Sequence, residues 1–124
     1  MKKTAFITGA TSGIGEACAR KFAEGGYRLV ITGRNAAKLE TLKTALEAEG
    51  TEVRTLVFDV RDAAAAKAAV ESLEEAWATP DVLINNAGLA LGLEKEYEGD
   101  MTDWDIMIDT NIKGLLTMTR LLVP

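Results

Sequence analysis

The residues with the clearest chemical use lie in a glycine-rich turn near the start of the chain. Gly9 permits a tight turn, Gly13 lets the backbone approach a phosphate, and Gly15 allows a helix to pack closely on a strand. A helix N-terminus after the turn offers free N–H groups to a pyrophosphate, and Thr11 and Ser12 add hydroxyl donors. The alternative is a turn whose glycines serve packing alone. The turn reads Thr8, Gly9, Ala10, Thr11, Ser12, Gly13, Ile14 and Gly15.

A second candidate group follows the next apolar run, at Arg34 and Asn35. An acidic residue here would bind the adenosine ribose hydroxyls of NAD, whereas an arginine offers a bidentate donor to the 2′-phosphate of NADP. If a dinucleotide binds, we expect NADP rather than NAD. The alternative for Arg34 is an ordinary surface arginine at a helix start, and Asn35 is a candidate helix cap.

Two more polar groups follow the third and fourth apolar runs. Asp59 and Val60 follow the third, and Asp59 is either an acceptor for the adenine amino group or a loop cap. The fourth is followed by a turn that either lines a ligand site or has no further role. Both groups lie at the carboxyl ends of predicted strands, where open α/β sheets bind ligands. The turn after the fourth run reads Asn85, Asn86, Ala87 and Gly88.

Four short apolar runs alternate with segments of helical period, which predicts a parallel sheet with helical crossovers. The predicted helices have inward stripes at positions 14, 18 and 22, at 39, 42 and 46, and at 66, 70, 73 and 77. Gly25-Gly26 and Gly50 are predicted to end the first two helices, and Asp62 to cap the third. The predicted strands are Ala5 to Ile7, Leu29 to Ile31, Val53 to Phe58 and Val82 to Ile84.

The end of the chain is predicted to form a loop over residues 89–101 and a helix over 102–122. The apolar residues of this helix fall on more than one face, while a helix packed on a sheet needs a single apolar stripe. A second stripe predicts another partner.

Composition excludes several classes of function. The chain has 124 residues, no histidine and one cysteine, so zinc, haem and disulfide frameworks and histidine-dependent nucleophiles are not expected. The net charge of -5 argues against a nucleic-acid surface, and no apolar run approaches the ~18 to 20 residues of a membrane span. We expect one soluble, cytoplasmic domain with no metal.

Taken together, the motifs resemble those of the short-chain dehydrogenases/reductases. The resemblance rests on Thr8-Gly9-x-x-x-Gly13-Ile14-Gly15, Asp59-Val60, Asn85-Asn86-Ala87-Gly88 and Asn111-x-x-Gly114, in the family's order and spacing. Residues 85–94, 103–104 and 108–111 look most like the NADP-dependent 3-hydroxy acid dehydrogenase branch, which includes enzymes acting on serine and allo-threonine. The implied fold is a Rossmann-type, doubly wound parallel sheet in three layers. Residues 1–124 would form one NAD(P)-binding domain, incomplete at its C-terminus.

The resemblance also implies roles for individual residues. The turn from Gly9 to Gly15 would hold the pyrophosphate, and Arg34 with Asn35 the 2′-phosphate. Asp59 would contact adenine with Val60 beside it, and residues 86–88 would lie along the nicotinamide-side ribose. Asn111 would be the active-site asparagine that holds a water in the proton relay, or alternatively a polar kink in a buried helix. The family commonly forms homo-oligomers through the helix equivalent to 102–122.

One part of the family pattern is missing. The family's catalysis needs a serine and a Tyr-x-x-x-Lys pair, but Tyr27 and Tyr97 are followed four residues later by Ile31 and Met101. Without a neighbouring lysine nothing lowers a tyrosine pKa from ~10 toward neutrality. We therefore expect the N-terminal half of a dehydrogenase acting on an alcohol or carbonyl substrate. The alternatives are an NADP-binding module without chemistry, or a fragment active only by complementation.

Overall fold

The computed structural model describes residues 2–11, 13–86 and 109–123. Its elements alternate as expected for parallel β-α-β units. They are β1 (Thr4–Ile7), α1 (Gly13–Glu24), β2 (Arg28–Gly33), α2 (Ala36–Ala48), β3 (Val53–Val57), α3 (Ala63–Glu71), a 3-10 helix (Glu75–Trp77), β4 (Val82–Ile84), a π-helical segment (Asp109–Gly114) and α4 (Leu115–Leu122). None of the helices in the described ranges is long and apolar enough to cross a membrane.

The four strands form one parallel sheet in the order β3-β2-β1-β4. Phe6 of β1 pairs with Val30 of β2 on one side and with Leu83 of β4 on the other. The chain therefore winds outward from β1 to β3 and then crosses back to place β4 on the opposite side. This order is that of the first half of a Rossmann fold, and its crevice lies between β1 and β4.

The core lies on both faces of the sheet, because successive strand residues point to opposite sides. Ile7 and Ile31 face α1 and α2, where they pack with Ala19, Leu39 and Leu46. The alternate residues face α3 and α4 and form the second core cluster, with Phe6, Val30, Ala66, Val70, Met118 and Leu122 among its members. The predicted three-layer α/β/α arrangement is confirmed.

Most predicted helix ends are also confirmed. Asn35 caps α2 by accepting from the Lys38 N–H at 3.0 Å, and Asp62 caps α3 by accepting from the Ala65 N–H at 3.0 Å. Gly26 and Gly50 follow α1 and α2 with φ of 85° and 90°, which the absence of a side chain permits.

Two predicted helical stripes are wrong in part. Ile14 is 73% exposed, because the buried face of α1 is centred on Gly15 and Ala19. The third helix ends at Glu71, where the Ser72 hydroxyl donates to the Ala69 carbonyl at 2.6 Å.

Trp77 lies in the separate 3-10 helix but still reaches the core, where it is 3% exposed. The guanidinium carbons of Arg28 and Arg54 lie 4.1 and 4.4 Å from its ring centroid. This cluster lies at the edge of the sheet where the strands begin, opposite the edge that holds the predicted ligand residues.

The predicted last helix is described only from residue 109, and the first described residues, Asp109–Gly114, form a π-helix rather than an α-helix. The predicted loop 89–101 and residues 102–108 lie outside the described residues. Within α4, Met118 and Leu122 are buried, while Ile112, Leu115 and Leu116 are 55%, 40% and 60% exposed. The expectation of a second apolar face on this segment is confirmed.

Candidate functional site

The glycine turn joins β1 to α1 at the carboxyl edge of the sheet. Gly9 and Gly13 have φ of 63° and 54°, a conformation that strains any residue with a Cβ. The Ala10 N–H donates to the Thr32 carbonyl of β2 at 3.1 Å, so the turn is fixed to the neighbouring strand. A Cβ added at Gly13 would meet nothing within 4 Å. The turn therefore presents bare backbone toward open space.

The turn after β4 supports the glycine turn from the other side of the crevice. The Asn86 side-chain amide donates to the Gly9 carbonyl at 3.1 Å, and the Asn86 backbone N–H donates to the Thr8 hydroxyl at 3.0 Å. That hydroxyl donates in turn to the Ile84 carbonyl at 3.3 Å. The two turns therefore form one hydrogen-bonded unit across the crevice.

Gly15, at the start of α1, packs tightly against both turns. An added Cβ would collide with the Gly9 carbonyl oxygen and lie 2.6 Å from the Asn86 side-chain nitrogen. Gly15 therefore admits a close approach of the glycine turn and of the turn after β4 to the start of α1, rather than of a strand. Ser12, Ala87 and Gly88, predicted to belong to the same site, lie outside the described residues.

Arg34 follows the end of β2 and is exposed. Just before it, a Cβ on Gly33 would lie 3.4 Å from the Thr11 methyl carbon, so the glycine turn lies over the end of β2. Arg34 is also close enough to Asp59 to contribute to lowering the pKa of that carboxyl. Arg34 thus lies between the glycine turn and the loop after β3.

Asp59 is paired with Arg61, which the sequence reasoning missed. The Arg61 guanidinium donates to Asp59 Oδ2 at 2.7 Å, and the Arg61 backbone N–H donates to Asp59 Oδ1 at 2.9 Å. The side-chain hydrogen bond from Arg61 is the largest cause lowering the pKa of Asp59, against a smaller opposing effect of burial. Asp59 therefore shapes the loop before α3, as one of its two predicted roles required. The sequence signal that could have indicated this pair is an arginine two residues after the aspartate.

Val60 connects this loop to the end of the chain. A Cβ on Gly114 would lie 2.6 Å from Val60 Cγ2, so these residues are in direct contact. Gly114 belongs to the Asn111-x-x-Gly114 motif, and its lack of a side chain leaves room for Val60. The backbone of Asn111 lies three residues earlier, in the π-helical segment. Such segments are frequent at functional sites.

Asn85 makes a second connection to the same part of the chain. Its side-chain amide nitrogen donates to the Thr119 hydroxyl of α4 at 3.1 Å. Its Oδ1 is buried and has no hydrogen-bond partner among the residues that the structure describes. Nothing in the sequence around Thr119 indicated this contact.

The arrangement fits a dinucleotide. A bare turn at a helix start suits a pyrophosphate, and an exposed guanidinium beside it suits a further phosphate. The loops after β1, β2, β3 and β4 all lie at the carboxyl edge, where the strand order reverses between β1 and β4.

Comparisons with known proteins agree with this geometry. The family model described as short chain dehydrogenase matches residues 3–124. A probable NADP-dependent dehydrogenase of Haemophilus influenzae is 49% identical over 98% of this chain and 47% of its own length. An NADP-dependent 3-hydroxy acid dehydrogenase of Salmonella typhi is 48% identical over 95% of this chain and 46% of its own length.

A solved structure gives the same result. The closed form of serine dehydrogenase complexed with NADP+ is 42% identical, with a TM-score of 0.87, over 98% of this chain and 48% of that chain. The chain thus spans about half the length of the curated relatives it matches. Since the family model matches residues 3–124, the chain belongs to the short-chain dehydrogenase family.

Proposed function

We propose that this chain provides the NADP-binding part of an oxidoreductase that transfers a hydride between the nicotinamide and a hydroxyl or carbonyl substrate. The observation that carries the proposal is the position of Arg34, exposed between the bare glycine turn and the loop after β3. A guanidinium at the end of β2 selects the 2′-phosphate that distinguishes NADP from NAD. The NADP dependence named for the two curated relatives supports the same cofactor.

Each predicted residue has a role in this proposal. The Gly9–Gly15 turn holds the pyrophosphate, with hydroxyl donors from Thr11 and Ser12. Asp59 accepts from the adenine amino group with Val60 beside the ring. Further contacts come from the remaining site residues. Arg34 and Asn35 bind the 2′-phosphate, Asn86, Ala87 and Gly88 follow the nicotinamide-side ribose, and Asn111 holds a water of the proton relay.

The substrate class proposed is a 3-hydroxy acid or its carbonyl counterpart. It rests on the likeness to the 3-hydroxy acid dehydrogenase and to the serine dehydrogenase. NADP supplies the hydride chemistry when bound, and this chain's residues hold and orient it. The proton for the substrate oxygen needs a further group, because neither tyrosine of these 124 residues is followed by a lysine at the required spacing.

The second candidate function is an NADP-binding module without chemistry, or a fragment that becomes active when another chain supplies the Tyr-x-x-x-Lys pair. The two candidates are separated by assaying NADPH oxidation with these 124 residues alone and with the full-length gene product. Binding without turnover in both preparations favours the module.

The cofactor assignment is tested by fluorescence titration of NADPH and NADH against wild type and Arg34→Asp. We expect Arg34→Asp to weaken NADPH binding by a factor of roughly 30 to 150, corresponding to ~2 to 3 kcal/mol for a charge-assisted bidentate pair. NADH binding should remain unchanged or improve. Arg120→Asp, in the last turn of α4, is the control for charge reversal. Equal affinity of wild type for NADPH and NADH would overturn the assignment.

A further inference from the structure

The Asn85 side chain is held in an orientation that leaves part of it unpaired. Its nitrogen donates to Thr119 at 3.1 Å, while its buried Oδ1 has no partner in the described part of the chain. Buried amide groups normally satisfy both ends, and exceptions call for an explanation. Here the bond to Thr119 spans 34 residues and joins the end of β4 to α4.

Thr119 links its hydrogen bond with Asn85 to a second hydrogen bond at the start of α4. Its hydroxyl accepts from Asn85 and donates to the Leu115 carbonyl at 2.8 Å. Leu115 is the first residue of α4 and directly follows the π-helical segment Asp109–Gly114. The bond from Asn85 therefore fixes the boundary between the two helical forms relative to β4.

The last residue of the π-helical segment has its own attachment. Gly114 is buried against Val60, where an added Cβ would lie 2.6 Å from Cγ2 and 3.0 Å from Cβ of the valine. Val60 belongs to the loop after β3 and is itself 7% exposed. The segment is thus fixed to the loop after β3 at Gly114 and to the turn after β4 through Thr119.

We propose that Asn85 is a positioning residue for Asn111. By fixing the first turn of α4, it sets where the π-helical segment places the Asn111 backbone relative to the turn at Asn86. This inference rests on the proposed function, in which Asn111 holds a water near the reacting end of the cofactor. Asn85 itself touches neither cofactor nor substrate in this account.

The test uses the full-length gene product carrying Thr119→Val, which removes both hydrogen bonds and keeps the side-chain shape. NADP+ reduction is measured with L-serine, L-allo-threonine and 3-hydroxypropionate, alongside the NADP+ dissociation constant and the thermal midpoint. We expect kcat to fall at least tenfold while the dissociation constant changes less than twofold. Thr119→Ser, which restores the hydroxyl, should return kcat to within twofold of wild type.

Two comparisons separate positioning from a general loss of helix stability. Thr44→Val removes a matching hydroxyl bond, to the Glu40 carbonyl at 2.9 Å in α2, and should leave kcat unchanged. Asn85→Ala combined with Thr119→Val should lose no more kcat than the larger single loss, because both act through one bond. If Thr119→Val does not fold, Thr119→Ala and Asn85→Ser replace it in the same comparison.

The outcomes distinguish the inference from the function beneath it. If the wild-type enzyme oxidises at least one of the substrates and Thr119→Val has the same kcat, the positioning role is wrong but the proposed function stands. The same holds if kcat and NADP+ affinity fall together, or if the losses in the double variant add. Wild type that neither binds NADP+ nor turns over any of the three substrates overturns the proposed function, and the positioning role with it.

Discussion

Gly13 and Gly26 share a backbone conformation but not a location. Both have positive φ and open space around an added Cβ, yet Gly13 lies in the glycine turn and Gly26 follows α1 on the opposite edge. Alanine at either position should cost about 1 to 2 kcal/mol of stability from backbone strain alone. A loss of NADPH binding in Gly13→Ala that Gly26→Ala does not show would therefore indicate that the cofactor lies against the turn.

We therefore expect Gly13→Ala to weaken NADPH binding at least tenfold, whereas Gly26→Ala leaves it unchanged. The methyl group of Gly13→Ala would project into the space that the phosphates need. Titration of both variants with NADPH, together with urea unfolding, separates the two effects. Wild-type affinity in Gly13→Ala would contradict the assignment of the turn as a phosphate cradle.

The Asp59–Arg61 pair should make stability depend on pH in one direction. The pKa of Asp59 is lower in the folded chain than its ordinary value, chiefly because the Arg61 side chain donates to its carboxylate. The charged form is favoured by folding, so the stabilisation is present above the ordinary pKa of ~3.9 and is lost as pH falls through the lowered pKa.

We expect Asp59→Asn to lower the free energy of unfolding at pH 7 by about 0.5 kcal/mol, since the pair is partly exposed. The difference from wild type should shrink in urea unfolding at progressively lower pH. Asp62→Asn is the matched control, because asparagine caps a helix as well as aspartate. A wild-type advantage that grows as the pH falls would show the opposite linkage.

At the scale of elements, the sequence predicts those features of a helix or strand that depend only on residues close together in the chain. The caps at Asn35 and Asp62 were predictable because a cap needs only its own side chain and the next turn. The predicted third helix is too long because Trp77 lies at helical spacing from Val70, although α3 ends at Glu71 and Trp77 belongs to the 3-10 helix. Periodicity records which residues face the core, and Trp77 does so from a different element.

The site divides in the same way. The glycine turn could be predicted from the sequence because its glycines lie within eight residues of one another, and Gly9 and Gly13 have the positive φ that a tight turn requires. The Asn85–Thr119 bond and the Gly114–Val60 contact join positions far apart in sequence, and no local pattern marks them. The family resemblance points to Asn111 and Gly114, but only the structure shows that Gly114 packs against Val60.

At the scale of the whole molecule, the apolar residues on the outer side of the last described segment remain unpartnered within the described chain. We propose that the predicted helix over residues 102–122, of which residues 109–122 are described, mediates homo-oligomer formation through this side. Leu116, 60% exposed, lies within it. A second copy would remove this apolar surface from water.

Leu116→Glu should therefore shift the chain toward monomer in sedimentation velocity. Val57→Glu introduces the same charge at a valine that is 53% exposed in β3, and should leave association unchanged. Equal dissociation by both variants would show that association does not use this helix. A wild-type chain that stays monomeric at high concentration would contradict the proposal directly.

The π-helical segment Asp109–Gly114 gives the chain spare length. In a π-helix an N–H group bonds five residues back instead of four, so the segment holds one residue more than an α-helical turn needs. Losing one residue there converts it to an α-helix without rotating Met118 and Leu122 away from the core. In a regular helix the same loss turns every later residue by about 100°.

Deletion of Ile112 should thus lower the thermal midpoint less than deletion of Glu40, which would rotate the buried Leu42 and Leu46 of α2 out of the core. In the full-length gene product, the deletion of Ile112 should keep the fold and the NADP affinity while lowering kcat, since the Asn111 backbone would be displaced. A greater loss of stability from deleting Ile112 would show that the segment has no length to spare. If the deletion behaves as expected, the one extra residue of the π-helical segment is what separates a protein that folds and binds NADP from one that also turns over substrate.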